Sequence, residues 1–485
     1  MPPPFLGTAV VGDGGLAAAI DAYGDVVDLR APGPGGRALI DNPAGRQAAG
    51  TVPADTGIVP WAQIRGRPSL PLWRADSIAQ RYRPGTNVLV TTARFGSRRV
   101  RIVYAAGDSV LACLTGASGG ARVLLRFSEP AARRVHCDDG AARQMVERAE
   151  RGGRRWLRRA QPLGAGAPPW AGRMYQRSLL VLRALTDRRS GAGAAGARDG
   201  WAYVWPRDAA TVALALNAAG YRGEARRVTR FLLGLDLGAA ARFYADGEPV
   251  PGRGPQGDAS GWVAAAADGM GFEPPPPGEW RNLPDYQEGE PGNYLGNALS
   301  AEEPKGGLNG RKSDRRREDA LAAAFGVNRG LVREAYDPGS GFDSAAAWAV
   351  APFARPSLYA AARQTMLRLV NRGTRFGITP GEGWAGGGDP WSAPTAWTAW
   401  SLATLGGRRP ALRLLADLRR AATPAGMFPE RVDARTGIPR STTPLAWSHA
   451  FAILALQELW PTRTKGGASA AACCGNAAGV LPARR

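Results

Sequence analysis

The feature that most constrains this chain is a change of hydrophobic period part-way along it. Up to about residue 130, apolar residues fall in short β-branched runs broken by glycine turns. Leu16 to Arg30 is an apolar run, a Gly turn and a second run. Thr86 to Tyr104 repeats the pattern, with Val88, Leu89 and Val90, a Gly96-Ser97 turn, then Val100, Ile102 and Val103. Val110 to Phe127 adds two more candidate strands. Such runs predict an antiparallel β-sandwich over residues 1–138. From about 170 to 460 the period becomes helical. Ala- or Leu-rich segments at 171–186, 207–219, 223–235, 258–270, 343–352, 356–371, 392–405, 408–421 and 444–459 read as helices, many ending near Gly or Pro. Helix hairpins of similar length imply a closed or stacked array.

Residues 139–169 separate the two patterns. Arg and Glu at helical spacing, with little apolar face, predict a helical linker that ends in a Gly/Ala/Pro hinge at Gly164 to Pro169. Residues 301–318 read as a polar loop, and the small-residue tail 461–485 as disordered. The 485 residues thus divide into two or three domains.

The net charge of +21 invites a nucleic-acid reading. The excess is mostly Arg spread along the chain, densest at 148–159 and 311–317, which fits weak adsorption to polyanions better than specific nucleic-acid binding. Cys113, Cys137, Cys473 and Cys474 lack metal-ligand spacing and suggest no disulfide framework. Two histidines, His136 and His449, make a His-rich zinc site untenable. Apolar runs are too short to cross a bilayer, and the start lacks a basic stretch followed by an apolar one. The expectation is a soluble, cytoplasmic protein without a membrane partner; oligomeric state is not legible.

Carboxylates stand in two well-separated segments, Asp285-Tyr286-Gln287-Glu288-Gly289-Glu290 and Met427-Phe428-Pro429-Glu430-Arg431. Around them lie Trp205-Pro206-Arg207-Asp208, Gly388-Asp389-Pro390-Trp391 and Trp447-Ser448-His449. Two carboxyls are the minimum for cutting a glycosidic bond, one protonating the departing oxygen and the other activating water or attacking the sugar. Aromatic rings and Arg/Asp pairs are what a pocket uses to hold a sugar. Twelve of the 15 tryptophans fall at or after Trp170, and Trp201, Trp205, Trp280, Trp384 and Trp391 sit in Gly/Pro-rich loops rather than core segments.

These residues resemble glycoside hydrolase family 15, the glucoamylase, glucodextranase and bacterial trehalase group. The resemblance covers roughly 1–460 and is strongest at Tyr203-Val204-Trp205-Pro206-Arg207-Asp208. It continues through Gly252 to Asp258, Gly388 to Trp391, and Met427 to Ala450. It implies a multi-domain α and β protein, a C-terminal (α/α)6 barrel over 170–460 preceded by the β-sandwich and linker. The implied activity is inverting, exo-acting hydrolysis of an α-glucan or α-glucoside, with an oligosaccharide or glucoside as partner and no cofactor or metal.

The resemblance makes Glu430 the general base; the bland alternative is a surface Glu paired with Arg431 or Arg440. It makes Glu288 the general acid, with Glu290 as rival, although Gln287 stands where the family usually has Trp and Gly289 where it has a second Glu. Arg207 and Asp208 would grip the terminal glucose, or else form a helix-start ion pair. Trp205 and Trp391 would be platforms for sugar C–H faces, or else core. Asp258 is a pocket candidate that could equally cap a helix. His449 reads as structural. The changed acid segment keeps open a second reading, a catalytically decayed carbohydrate-binding or scaffold protein of the same fold.

Overall fold

The computed structural model describes residues 2–42, 57–127, 134–275, 294–301 and 311–462, with the side chains of 127, 199 and 311–314 left aside. The tail 463–485, including Cys473 and Cys474, lies outside the described residues. So does the acidic segment 285–290.

Two antiparallel sheets build the first part. One contains β1 (Gly7–Gly12), β2 (Ala17–Asp21), β3 (Val26–Arg30), β4 (Ala38–Asp41), β5 (Ile58–Ile64), β6 (Leu70–Pro71) and β11 (Ala121–Phe127). Its spine runs β1-β2-β3-β5-β11, with β4 on β3 and β6 on β5. The other runs β12-β10-β9-β8-β7 and contains β7 (Ser77–Tyr82), β8 (Leu89–Phe95), β9 (Arg98–Gly107), β10 (Val110–Ser118) and β12 (Val135–Cys137), the last parallel to β10. Period-two alternation gives each sheet an inner face. Ala62 and Ile64 of the first sheet, with Tyr23 from the turn between β2 and β3, meet Ala93, Phe95 and Val100 of the second in one apolar cluster. The chain passes from one sheet to the other through Gly119-Gly120, both at positive φ, where a side chain would be strained.

The expectation of no disulfide is corrected. Cys113 and Cys137 are bonded, with their Cα atoms 4.6 Å apart, because β12 pairs in parallel register with β10 and sets the two residues side by side. A spacing of 24 residues gives no hint of that pairing. Disulfides persist in oxidising compartments and are rare in a reducing cytoplasm, so this bond does not favour the cytoplasmic expectation.

Helix α1 (Gly140–Arg158) begins at Asp139, whose side chain accepts from Ala142 N. It has an apolar face after all: Ala142, Met145 and Val146 pack on Val90, Val103 and Ala112 of the second sheet. Then follow α2 (Pro169–Leu185), α3 (Pro206–Ala218), α4 (Arg222–Leu233), α5 (Ala259–Met270), α6 (Leu295–Ser300), α7 (Arg311–Phe325), α8 (Tyr359–Arg372), α9 (Ser392–Thr404), α10 (Arg408–Ala421) and α11 (Ala446–Leu459). Helices α3, α9 and α11 are buried on nearly every side, and small Ala residues let them approach closely. Helices α4, α8 and α10 bury one stripe and turn arginines outward. Helix α3 packs on α4, α5 and α11, while α11 also packs on α2 and α9, and α9 on α10. Among the described residues no helix is long and apolar enough to cross a membrane.

Two local readings change. The helix expected at 343–352 is a 3-10 segment, Ser344–Ala349, started by Asp343 accepting from Ala345 N. Part of the polar stretch 301–318 is the start of α7. That helix is anchored by residues beyond the charged run: Leu321, Ala324 and Phe325 are buried, and Glu318 accepts from Ser357 N at 2.8 Å.

The β part and the helical part are joined by buried polar contacts. Arg198 donates to the carbonyls of Phe5 and Asn42. Arg177, on α2, donates to Thr86 O and Asn87 Oδ1 and lies 3.8 Å from the Tyr82 ring centroid. Thr423 Oγ1 donates to Thr8 O, so the loop that leads to Glu430 rests on β1.

Candidate active site

Helix α3 starts with Pro206 in its first turn, where the ring fits the helical φ and no backbone donor is lost. This sets Arg207 and Asp208 at the mouth of the helix, and both are buried. Arg207 donates to Asp258 Oδ2 at 2.8 Å and to Gln256 Oε1 at 3.2 Å, and stands 3.5 Å from Asp208. Its guanidinium lies 4.7 Å from the Trp447 ring centroid. Asp258 sits at the N-cap position of α5 but its side chain makes no cap bond. One carboxylate oxygen binds Arg207 and the other, Oδ1, is buried without a hydrogen-bond partner among the described residues. The capping alternative for Asp258 is thereby removed.

Glu430 is held from three sides. Its N–H donates to Thr442 O, its carbonyl accepts from Ser392 N, and Ser441 Oγ donates to Oε2. Upstream, Phe428 N donates to His449 Nε2 at 3.0 Å, and His449 Nδ1 meets Ser178 Oγ at 2.9 Å. His449 is therefore a neutral strut, and burial pushes its pKa well down. Burial also pushes the Glu430 carboxyl up to about 7, with Asp208 adding to the rise while Ser441, Arg431 and the Trp201 indole oppose it. Asp208 is likewise pushed up to about 7 by burial; Arg207 counters and Asp258 reinforces. Glu430 is 7% exposed, so the surface ion-pair alternative does not describe it.

These groups line one cavity of about 300 Å³. Trp205 and Trp391 are on its wall as well. Trp205 donates its indole N–H to Gly200 O and packs with Trp201 and Ala195, so it is core and wall at once. Trp391 meets Trp384 edge to face at 5.7 Å. The wall also contains residues that the sequence reading did not assign to the site: Arg253, Gln256, Tyr294, Trp397 and Trp447. Arg253 and Gln256 were within reach, since they lie in the same glycine-rich segment as Asp258. Nothing in the sequence marks Tyr294. The indole N–H groups of Trp384, Trp391 and Trp447 are buried without an acceptor among the described residues. Indole rings, a guanidinium and two carboxyls lining one cavity suit a ligand with many hydroxyls on an apolar ring. Glu288 and Glu290 lie outside the described residues, which resume on this wall at Tyr294. No group of three or more metal-ligating side chains occurs among the described residues.

Residues 170–235 match the model of Glycosyl hydrolases family 15. The chain is a family 15-like protein. A bacterial glucoamylase complexed with acarbose superposes with a TM-score of 0.68 at 12% identity, over 94% of each chain. A structure described as a wild-type glycosidase superposes at 0.51 and 18% identity, over 61% of this chain and 99% of its own. At such identities the likeness establishes the fold. No curated protein sequence matches the chain. The family match covers the start of α2 through α4, and so contains Arg207 and Asp208. Family and fold together support a glycosidase with a carbohydrate substrate.

Proposed function

We propose that this protein is an inverting, exo-acting glycoside hydrolase that releases glucose from α-glucans or α-glucosides. The observation that carries the reading is Glu430, buried in an indole-lined cavity it shares with Arg207 and Asp208. Glu430 is the general base: ionised, it draws a proton from water as the oxygen attacks the anomeric carbon. Glu288 is the general acid, protonating the departing oxygen from the opposite side. It precedes Tyr294 of the cavity wall by six residues, within chain reach of roughly 20 Å. Inversion requires the two carboxyls to stand about 6.5–9.5 Å apart with water between them. Arg207 and Asp208 hold hydroxyls of the terminal sugar, Asp258 orients Arg207, and Trp205 and Trp391 supply apolar faces. The alternation of buried and amphipathic helices supports an (α/α)6 barrel over 170–460, and the facing sheets support a β-sandwich over 1–138.

The second reading, a sugar-binding protein that has lost hydrolysis, is favoured by Gln287 and Gly289 flanking the acid. Proton NMR of the protein with trehalose, maltotriose, isomaltotriose and starch separates the two. β-Glucose appearing before mutarotation, and absent with Glu430→Gln, supports inverting hydrolysis. Saturation transfer to a sugar without any release of glucose supports the second reading.

A further inference from the structure

The outward face of the five-stranded sheet carries more positive charge than its packing requires. Register fixes which residues share that face. Arg94 on β8 stands directly opposite Arg99 on β9, and Thr92 opposite Arg101. On β10, Ser118 faces Arg99 and Gly116 faces Arg101. On β7, Arg81 and Ala79 continue the rows through Val90 and Thr92. Alternation sends Ala93, Phe95 and Val100 to the core, so Arg81, Arg94, Arg99 and Arg101 project to solvent, where all four are exposed. Helix α1 covers only the Val90, Val103 and Ala112 part of this face. Beside it lies a trough of about 730 Å³ lined by Arg81, Arg83, Thr92, Arg99, Arg101 and Ser118.

Two independent observations mark this face, which the trough shares through Arg81, Arg99 and Arg101, as more than a solvated one. The first is missing counter-charge. Arg83 pairs with Glu150 of α1, but among the described residues no carboxylate forms an ion pair with Arg81, Arg94, Arg99 or Arg101. The second is strain in the pairing. Like charges directly opposite on neighbouring antiparallel strands are destabilising, and Arg94 against Arg99 is such a pair. Both costs are relieved by an anion.

We propose that this trough binds a single chain of an acidic polysaccharide, its uronate carboxylates taken by the guanidinium forks. A planar fork matches a carboxylate with two parallel hydrogen bonds. Neighbouring strands stand about 4.8 Å apart, near the length of one sugar ring, so Arg94 and Arg99, side by side in one row, can meet successive residues of the glycan. Thr92 and Ser118 offer hydroxyls between the arginines. Single-stranded bases bind by stacking on exposed aromatic rings. The one ring at the trough, Tyr82, turns its hydroxyl to Val10 and is covered by Arg177. This site stands apart from the hydrolytic reading of the helical cavity.

The test is affinity electrophoresis and calorimetry against polygalacturonate at low salt. The Arg94→Gln/Arg99→Gln/Arg101→Gln protein is compared with wild type and with Arg363→Gln/Arg409→Gln/Arg413→Gln. The second triple removes the same charge from exposed positions on α8 and α10. The face triple is expected to lose about tenfold in affinity and the control far less. The face triple is also expected to melt no lower than wild type, since a repulsive pair is gone. Equal losses in the two triples overturn the proposal, because net charge then suffices. Tighter binding of duplex DNA, lost in the same face triple, overturns it in favour of nucleic acid. Arg101→Gln alone is expected to lose about twofold, and full affinity there overturns the proposal even if the triple proves unstable.

Discussion

Two groups of buried carboxyls, one in each half of the molecule, make opposite use of the same physics. In the β part, Asp21 and Asp25 are fully buried side by side. Asp21 accepts from the backbone of Phe5, Tyr23 and Asp25, whereas Asp25 faces little but the Asp21 carboxyl. Around them are Tyr23 and Tyr104, and no cation takes part in setting either acidity. In the helical part, Asp208, Asp258 and Glu430 are also buried, but Asp208 and Asp258 share the Arg207 guanidinium, and Asp208 and Glu430 open on a cavity. Burial raises the pKa in both places, so a raised pKa by itself does not mark a site. The cavity, the cation and the unanswered polar atoms around it do.

The largest effect is expected at the group that separates the two. Glu430→Gln should lower turnover of the responsive substrate by about 10²–10⁴-fold, the usual weight of a general base, with little change in melting temperature. The pH profile sharpens the point. A base with its pKa pushed to about 7 is ionised above that value, so the rate should rise with pH through neutrality. A falling limb at higher pH belongs to the general acid losing its proton, whereas a profile without any rising limb would break the assignment of Glu430 as base.

Next in size is the cation. Arg207→Met removes the guanidinium that Asp208 and Asp258 face, and stranding a buried charge costs about 3–5 kcal/mol. Adding Asp258→Asn should return part of that stability, because the amide has no charge to strand. Denaturant titration of the double-mutant cycle measures the coupling, and additive effects would break the claim that the two act as a pair.

What was legible in the sequence follows the same division. Helices α3, α9, α10 and α11 were placed to within a residue or two, because their Ala/Leu runs end at Gly or Pro. Arg207, Asp208 and Glu430 stood out because the segments Tyr203–Asp208 and Met427–Ala450 resemble family 15, and the structure places all three on one cavity wall. Contacts between distant segments were not legible. The Cys113–Cys137 bond depends on a parallel strand three residues long, and Tyr294 reaches the cavity wall through backbone bridging to Glu334. Helix α7 was hidden because its first half is a charged run and its anchoring side chains come late. Local pattern reports on faces and ends of elements; which elements meet is a property of the whole chain.

The β-part pair offers a prediction of opposite sign. Asp25 has its folded pKa raised well above the ordinary value by burial and by Asp21. A raised folded pKa means that the folded state holds the proton more tightly. Its contribution to stability is complete below the unfolded value of about 4 and is lost as pH rises toward the folded value. Asp25→Asn supplies a permanent neutral donor to Asp21, so it should stabilise the protein at pH 8 by about 1–3 kcal/mol and leave it nearly unchanged at pH 4.5. Melting curves at the two pH values check this. Equal destabilisation at both would show that the two carboxyls do not share a proton.

The smallest effect tests whether the indole donors matter beyond their rings. Trp391→Phe keeps an aromatic face against Trp384 but deletes a buried N–H that has no acceptor among the described residues. In the free protein that N–H is a liability of about 1 kcal/mol or more, so its loss should raise the melting temperature slightly. If a sugar hydroxyl or ring oxygen satisfies the donor in the complex, the same change should raise KM several-fold with kcat little altered. Trp61 in the β part, also without an acceptor among the described residues, is covered by Arg126 at 4.0 Å and is not on the wall of the candidate active-site cavity. Trp61→Phe should therefore leave KM alone. A matching rise in KM from both substitutions would reduce the Trp391 effect to general loosening, and would remove the distinction between an indole that is merely buried and one that is aimed at a ligand.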